Sequence, residues 1–364
     1  MKIVAQVARF VVGAIFIFSG LIKLNDPVGT QIKFEEYFEV FAQDFAFMHD
    51  FWMALVPYAL YLSVFMCASE VILGVALLCS FRMKLTTWLL LAIVVFFTFL
   101  TFYSAYFNKV TDCGCFGDAI KLAPWTSFGK DIFLLVLILV MLWQRKIFKN
   151  TKTGGIVAFA ALGSLVLAIY AIMYLPPVDL LAYRVGASIP NQMKASETLR
   201  YEYVMEKNGK DFTFNKYPSD TTYKYKAMNV LNENAKPKIT DYRIWDDSGD
   251  FTEQSFKGKK VFIVVKNTDD FNQAAMPGIK KLVESLKGTG VIPWILTSKS
   301  ADQLNELRQS QQMTDVPFYF ADGTVLKTIA RSNPCILVLQ DGTVKGKWHY
   351  NSTPDKDEVL KLVN

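Results

Sequence analysis

Thiols and imidazoles are scarce in this chain, with 5 cysteines and 2 histidines among 364 residues. So few cysteines exclude a disulfide-rich secreted scaffold, and an odd number leaves at least one without an intramolecular partner. No run of Arg and Lys with interleaved aromatics occurs, which argues against nucleic acid as a partner. No internal repeat is detectable, which weighs against a small-thiol or metal transporter. The first apolar run follows Lys2 and Arg9 but ends in Gly20-Leu21-Ile22-Lys23-Leu24. It lacks a small-residue cleavage pattern, so it reads as a retained helix and not a signal peptide.

What the chain has in excess is apolar surface. Hydrophobic residues make up 52% and aromatics 14%, with 29 Phe and 16 Tyr, against about 45–50% apolar residues in an ordinary soluble domain. The excess lies before Pro176 and most of the charge after it, so the net charge of +6 calls for a topological explanation. Five stretches pass the length needed to cross a bilayer, about 20 helical residues. They run approximately Val7 to Leu24, Trp52 to Ser80, Leu85 to Phe107, Phe128 to Trp143 and Ile156 to Leu175.

Charge in the short loops sets an expected orientation. Lys2 and Arg9, then Arg82 and Lys84, then Arg145, Lys146, Lys149 and Lys152 fall in alternate segments, predicting a cytoplasmic face. The loop holding Glu35, Glu36, Glu39, Asp44 and Asp50 against Lys33, and the loop holding Asp112 and Asp118, then face outward. Five crossings place everything after Leu175 outside as well. The expectation is a multi-pass protein of the bacterial inner membrane, with a cytoplasmic N-terminus and a periplasmic C-terminal domain.

Beyond Pro176-Pro177 the character changes. A polar, Tyr-rich connector with some strand covers residues 178–237, and an α/β pattern covers 238–364. Val261 to Val265 and Val291 to Leu296 read as buried strands, with helices at Pro277 to Leu286 and Ala301 to Gln309. Cys335 to Leu339 and Thr343 to Trp348 read as a hairpin about Asp341-Gly342. Pro354 to Leu362 reads as a terminal helix with Pro in its first turn.

The most unusual local feature is Asp112-Cys113-Gly114-Cys115-Phe116-Gly117-Asp118. Two thiols separated by one Gly can close a small disulfide ring, since Gly tolerates the backbone angles required. Such a ring departs from preferred geometry and is easily reduced, a property of catalytic or regulatory disulfides. Two other readings stand beside it: a tight structural loop, and two sulfurs for Cu(I) or Zn, for which only His49 and His349 offer imidazole. Lys109 and Lys121 flank the loop and favour a thiolate, whereas Asp112 and Asp118 oppose it. Cys67 and Cys79 lie about 18 Å apart along one helix, cannot pair, and read as small buried hydrophobes. Lys23 is expected to snorkel to the interface. Glu70, a carboxylate at membrane depth, is a candidate proton or quinone contact or the partner of a bundle-facing cation.

Phe18-Ser19-Gly20-Leu21-Ile22-Lys23-Leu24-Asn25-Asp26-Pro27, Glu70 with Gly74, and Cys113-Gly114-Cys115-Phe116-Gly117 resemble the DoxX family and its relative, the methylamine-utilisation protein MauE. The resemblance covers residues 1–150, with 151–177 as an additional transmembrane helix, and is to long Bacteroidetes-type versions fused to a periplasmic domain. It implies thiol or disulfide chemistry, since MauE is tied to maturation of a disulfide-rich enzyme subunit and related bundles oxidise thiols with quinone. No quinone-specific motif is visible in the residues themselves.

The segment GKKVFIVVKNTDDFNQAAMPGIKKL, Ser332-Asn333-Pro334 at a cis-proline loop and Asp341-Gly342 resemble a TlpA-type thioredoxin-like domain. Counting back from Met276-Pro277, the CxxC thiols are replaced by Asp269 and Asn272, so the family's dithiol exchange does not carry over. Asp269 and Asp270 are expected to cap the following helix. Cys335, at a strand start, is expected to be buried.

The fold expected is therefore an α-helical transmembrane bundle of about five helices plus a C-terminal α/β thioredoxin-like domain. The leading functional expectation is a membrane thiol–disulfide oxidoreductase in which Cys113 and Cys115 cycle. Its partners would be periplasmic thiol proteins or a membrane redox carrier such as a quinone, contacted through Glu70, with the thioredoxin-like domain binding partners without reacting. The alternative is a non-enzymatic membrane scaffold or assembly factor for periplasmic proteins.

Overall fold

The structure, a computed structural model, describes residues 2–110, 114–120, 122–266 and 271–364. The chain divides into two units, Met1–Leu181 and Ala182–Asn364.

The first unit is helical: α1 (Lys2–Asn25), α2 (Pro27–Asp44), α3 (His49–Leu55), α4 (Ala59–Leu78), α5 (Met83–Phe107), a short strand β1 (Cys115–Asp118), α6 (Pro124–Trp143) and α7 (Gly154–Tyr174). Five segments are long and apolar enough to cross a membrane: Lys2–Asn25, Ala46–Leu78, Met83–Phe107, Pro124–Trp143 and Gly154–Tyr174. The bundle turns large apolar side chains outward. Phe10, Phe65, Trp88, Phe133 and Phe159 are between 51 and 78% exposed, a surface that water would not tolerate and hydrocarbon does.

One helix was not expected. The acidic segment after α1, read from sequence as an outer loop, forms α2. Asp26 caps it, accepting from the Gly29 N–H at 2.9 Å, and Pro27 occupies the first turn, where no N–H is needed. Its stripe of Phe34, Tyr37, Phe38 and Phe41 is buried while Glu35, Glu36 and Glu39 lie outside it, which is the amphipathic spacing of a helix lying against the bundle.

α1 and α4 approach to backbone contact. A Cβ on Gly20 would stand 2.9 Å from Val71 N and 3.0 Å from Cys67 O, and one on Gly74 would stand 2.9 Å from Gly13 O. Small residues at such crossings substitute close packing for the hydrophobic drive that lipid does not supply. The crossing brings Ser19 and Lys23, one turn apart on α1, against Cys67 and Glu70, one turn apart on α4.

The second unit opens with the short helix α8 (Ile189–Gln192) and an antiparallel three-stranded sheet of β2 (Tyr201–Lys207), β3 (Lys210–Phe214) and β4 (Lys224–Val230), in the order β3-β2-β4. It continues through β5 (Ile244–Asp246), β6 (Gly249–Asp250), α9 (Thr252–Ser255), β7 (Lys259–Val265), α10 (Met276–Ser285), β8 (Val291–Thr297), α11 (Ala301–Ser310), β9 (Phe318–Ala321), α12 (Gly323–Ile329), β10 (Cys335–Gln340), β11 (Thr343–His349) and α13 (Lys356–Val363). The main sheet has the order β11-β10-β7-β8-β9-β5-β6. β7, buried from Lys260 to Val265, runs parallel to β8 and antiparallel to β10. α10 covers it with Met276, Ile279, Leu282 and Val283.

The β10–β11 turn has Asp341 at φ 47° and Gly342 at φ 72°, the doubly left-handed pair that a two-residue hairpin favours. Just after the last membrane span, the chain is stitched to this hairpin. Gly186 N donates to Val344 O, Val344 N to Ala187 O and Ile189 N to Gly342 O, at 2.8, 2.9 and 2.9 Å. The peptide Asn333–Pro334 is cis. The terminal helix starts later than expected, at Lys356. Asp355 caps it by accepting from the Glu358 N–H, and Pro354 lies outside the first turn.

Candidate functional site

Lys23 of α1, Glu70 of α4 and Asp131 of α6, all buried, line one cavity. The cavity, about 60 Å³ measured as the space open to the centre of a water molecule, lies within the first unit. Phe16, Phe34, Val94, Phe97, Leu100 and Leu134 give it apolar walls. Ser19, Lys23, Asp26, Thr30, Lys33, Cys67, Glu70, Thr101, Cys115, Lys130 and Asp131 supply its polar groups. That volume holds several waters, since each needs about 10–15 Å³ by this measure.

Its centre is the ion pair of Lys23 and Glu70, whose side chains are 6% and 3% exposed. Lys23 therefore does not snorkel to the interface. Glu70 stands at its height on α4, and pairing with a buried carboxylate replaces the water that snorkelling would reach. The ammonium also sits 4.7 Å from the centre of the Phe97 ring. Lys23 donates to Oε1 of Glu70; the second oxygen, Oε2, is buried without a hydrogen-bond partner among the described residues. An unmet acceptor of this kind calls for a donor from whatever fills the cavity.

The loop bearing the paired cysteines meets the cavity through Cys115. Ser19 Oγ donates to the Cys115 carbonyl at 2.9 Å, and Gly117 N donates to Gly114 O at 3.0 Å. Gly114 has φ 62°, a left-handed conformation that glycine adopts without strain. A Cβ there would also stand 3.2 Å from Cγ of Lys33, a second reason that favours glycine. Cys115 is half-buried. Cys113, Asp112 and Lys121 lie outside the described residues, as do Asp269 and Asp270.

Of the two cations expected beside the thiols, Lys121 lies outside the described residues and Lys109 is bound to Asp44. Lys109 and Tyr103 both donate to Asp44, which holds that carboxyl below its usual range, so the Lys109 ammonium is engaged elsewhere. Lys23 is instead within Coulombic range of both Cys115 and Cys67. Residues 1–144 match the family model of the methylamine utilisation protein MauE. No curated protein matches the chain. Together with the five apolar helices, the match makes this a multi-pass membrane protein in a lipid bilayer and suggests a membrane-associated accessory role.

The MauE-like region ends at Gln144, so all polar residues of the cavity fall inside it. Several of these residues were not foreseen. Asp131, 2% exposed, accepts from Thr101 at 3.0 Å and Lys130 at 2.5 Å. Its signal was available, because a carboxylate two turns inside the apolar α6 carries the same cost as Glu70. Cys67, expected to be only a small hydrophobe, is fully buried yet lines the cavity and donates to Thr30 Oγ1 at 3.8 Å. Cys79 lies outside the cavity.

In the second unit Cys335 is fully buried and directs its sulfur to the Trp348 carbonyl at 3.3 Å. Asn272 caps a short 3-10 helix, accepting from Ala274 N at 3.0 Å, and its N–H donates to Asn333 O at 3.1 Å. Among the described residues no group of three His, Cys, Asp or Glu side chains is placed to hold a metal ion.

Proposed function

We propose that this protein takes part in envelope thiol–disulfide chemistry, with Cys113 and Cys115 cycling between dithiol and disulfide. The observation that carries the reading is the position of Cys115. It lines a cavity whose buried Lys23 can stabilise a thiolate and whose Glu70 can exchange a proton. The alternation of Lys and Arg with acidic loops supports an inner-membrane orientation with the cysteine loop and the second unit in the periplasm.

The electron carrier is a quinone. The cavity fits such a group in kind: Phe34 and Phe97 give apolar walls, and Glu70 Oε2 offers an acceptor to a hydroxyl of the reduced quinol. Three lysines (Lys23, Lys33, Lys130) and three carboxylates (Asp26, Glu70, Asp131) line it, so an uncharged head group matches the balance of charge. When bound, the quinone supplies a two-electron, two-proton acceptor. Lys23 and Glu70 would hold its head group and shield the proton path.

The second unit binds the thiol substrate without reacting with it, as a thioredoxin-like domain without the CxxC pair. Two observations support this. The four strands β11-β10-β7-β8 pair as antiparallel, antiparallel and parallel, with α10 after β7, and Asn272 stands where the resemblance places a thiol. The burial of Cys335 also favours the second reading, a non-enzymatic scaffold or assembly factor. The two readings separate on the redox state of Cys113 and Cys115 in cells, read by acid quench, differential alkylation and mass spectrometry before and after a thiol challenge. A mixed population that shifts supports cycling. Thiols that stay reduced, or a disulfide that never opens, overturn it and leave the scaffold.

A further inference from the structure

The geometry points to a second exchange step: a disulfide at Cys115 is passed to Cys67, carrying the oxidised pair from the loop into the membrane-embedded part of the cavity. This step rests on the redox reading above and deepens it.

Four observations bring the two cysteines to one cavity. Both cysteines line the same cavity. They also flank successive residues of α1: Ser19 bonds the Cys115 carbonyl, and Gly20 lies against the Cys67 carbonyl at the helix crossing. Lys23 is within Coulombic range of both. Glu70, one turn beyond Cys67 and 2% exposed, presents Oε2 to the cavity with no partner among the described residues. A buried cysteine alone needs none of this. A thiol that must shed its proton in a dry site needs a nearby base and a cation, and both are present.

The step balances without an outside oxidant. Cys67 Sγ attacks Cys115 Sγ while its proton goes to Glu70 Oε2. The Cys67–Cys115 bond forms, and the bond between Cys115 and its former partner, Cys113 or a substrate thiol, breaks. The departing sulfur takes the proton back from Glu70, so one disulfide and one thiol enter and one disulfide and one thiol leave. Because a bare charge in this setting is costly, proton transfer and sulfur attack proceed together. Because the exchange is reversible, an acceptor bound beside the apolar walls would take two electrons and two protons from the Cys67 and Cys115 thiols, and Cys113 or a substrate thiol would then attack Cys115 Sγ and release Cys67.

The test uses the full-length protein in lipid nanodiscs, oxidised briefly with diamide, blocked with N-ethylmaleimide and digested without reductant. A peptide linking Cys67 to Cys115 is expected, at several-fold higher yield in Cys113→Ser, where the return exchange has no partner. The link must be absent in Cys115→Ser, with Cys67 there remaining open to alkylation after denaturation. The inference is overturned if Cys115 forms disulfides with Cys113 or added glutathione while Cys67 stays alkylatable throughout, a result that leaves the proposed function standing. If Cys115 forms no disulfide in any arm, both fall.

Discussion

Lys23 and Glu70 show how one contact sets the character of a buried site. Each charge is tolerable because the other is present, so single and double replacements should differ sharply. Lys23→Met or Glu70→Ala alone is expected to destabilise the protein by about 3–5 kcal/mol, and the double replacement by apolar residues to recover most of that. Thermal unfolding in one detergent measures it, and additive losses would contradict the pair as described. Gly114→Ala meets both the left-handed backbone and the Lys33 side chain. It should cost about 1–2 kcal/mol locally and change the rate at which Cys115 reacts with maleimide, while Gly129→Ala, in open space, should leave that rate unchanged. Much at this scale was visible beforehand. Glu70 stood out as a carboxylate within an apolar run, and Gly114 as the residue that a close cysteine pair needs. Lys23 was misplaced because snorkelling is argued from one helix, whereas its partner is 47 positions away in sequence.

At the scale of elements, the close crossing of α1 and α4 sets Ser19 and Lys23 against Cys67 and Glu70. Gly20→Val or Gly74→Val forces atoms into backbone that stands about 3 Å away. A loss of about 1–3 kcal/mol is expected, together with slower thiol reactivity, because Ser19 and Lys23 shift with the helix. A variant with unchanged melting and unchanged reactivity would remove the crossing from the account. The three-stranded sheet offers a pH experiment. The Asp220 carboxyl accepts from the Thr222 N–H and hydroxyl and from Lys207, and these bonds pull it down to about 2. A depressed folded-state pKa contributes stability above the unfolded value, about 3.9 for Asp, that is lost as pH falls toward 2. Asp220→Asn should flatten the acid dependence of the second unit's melting between those limits; an unchanged slope counts against these bonds. The spans were readable because hydropathy over about 20 residues needs no tertiary information. α2 was hidden by its glutamates, although Phe34, Tyr37, Phe38 and Phe41 already carried helical spacing.

For the molecule as a whole, two units with separate cores should behave separately. Residues 182–364 expressed alone are expected to fold with a single cooperative transition by circular dichroism. A fragment with no transition would mean that the helical unit supplies part of its stability. Composition made this division visible, since the apolar excess stops near Pro176. It could not show which strands the entering segment would join, because that pairing spans most of the unit.

The bonds from Gly186, Ala187 and Ile189 to the β10–β11 hairpin impose an order of events. As the chain emerges during synthesis, its first stretch beyond the bilayer waits with open valences until Val344 has been made. The unit is thus fastened at its threshold by residues that arrive late.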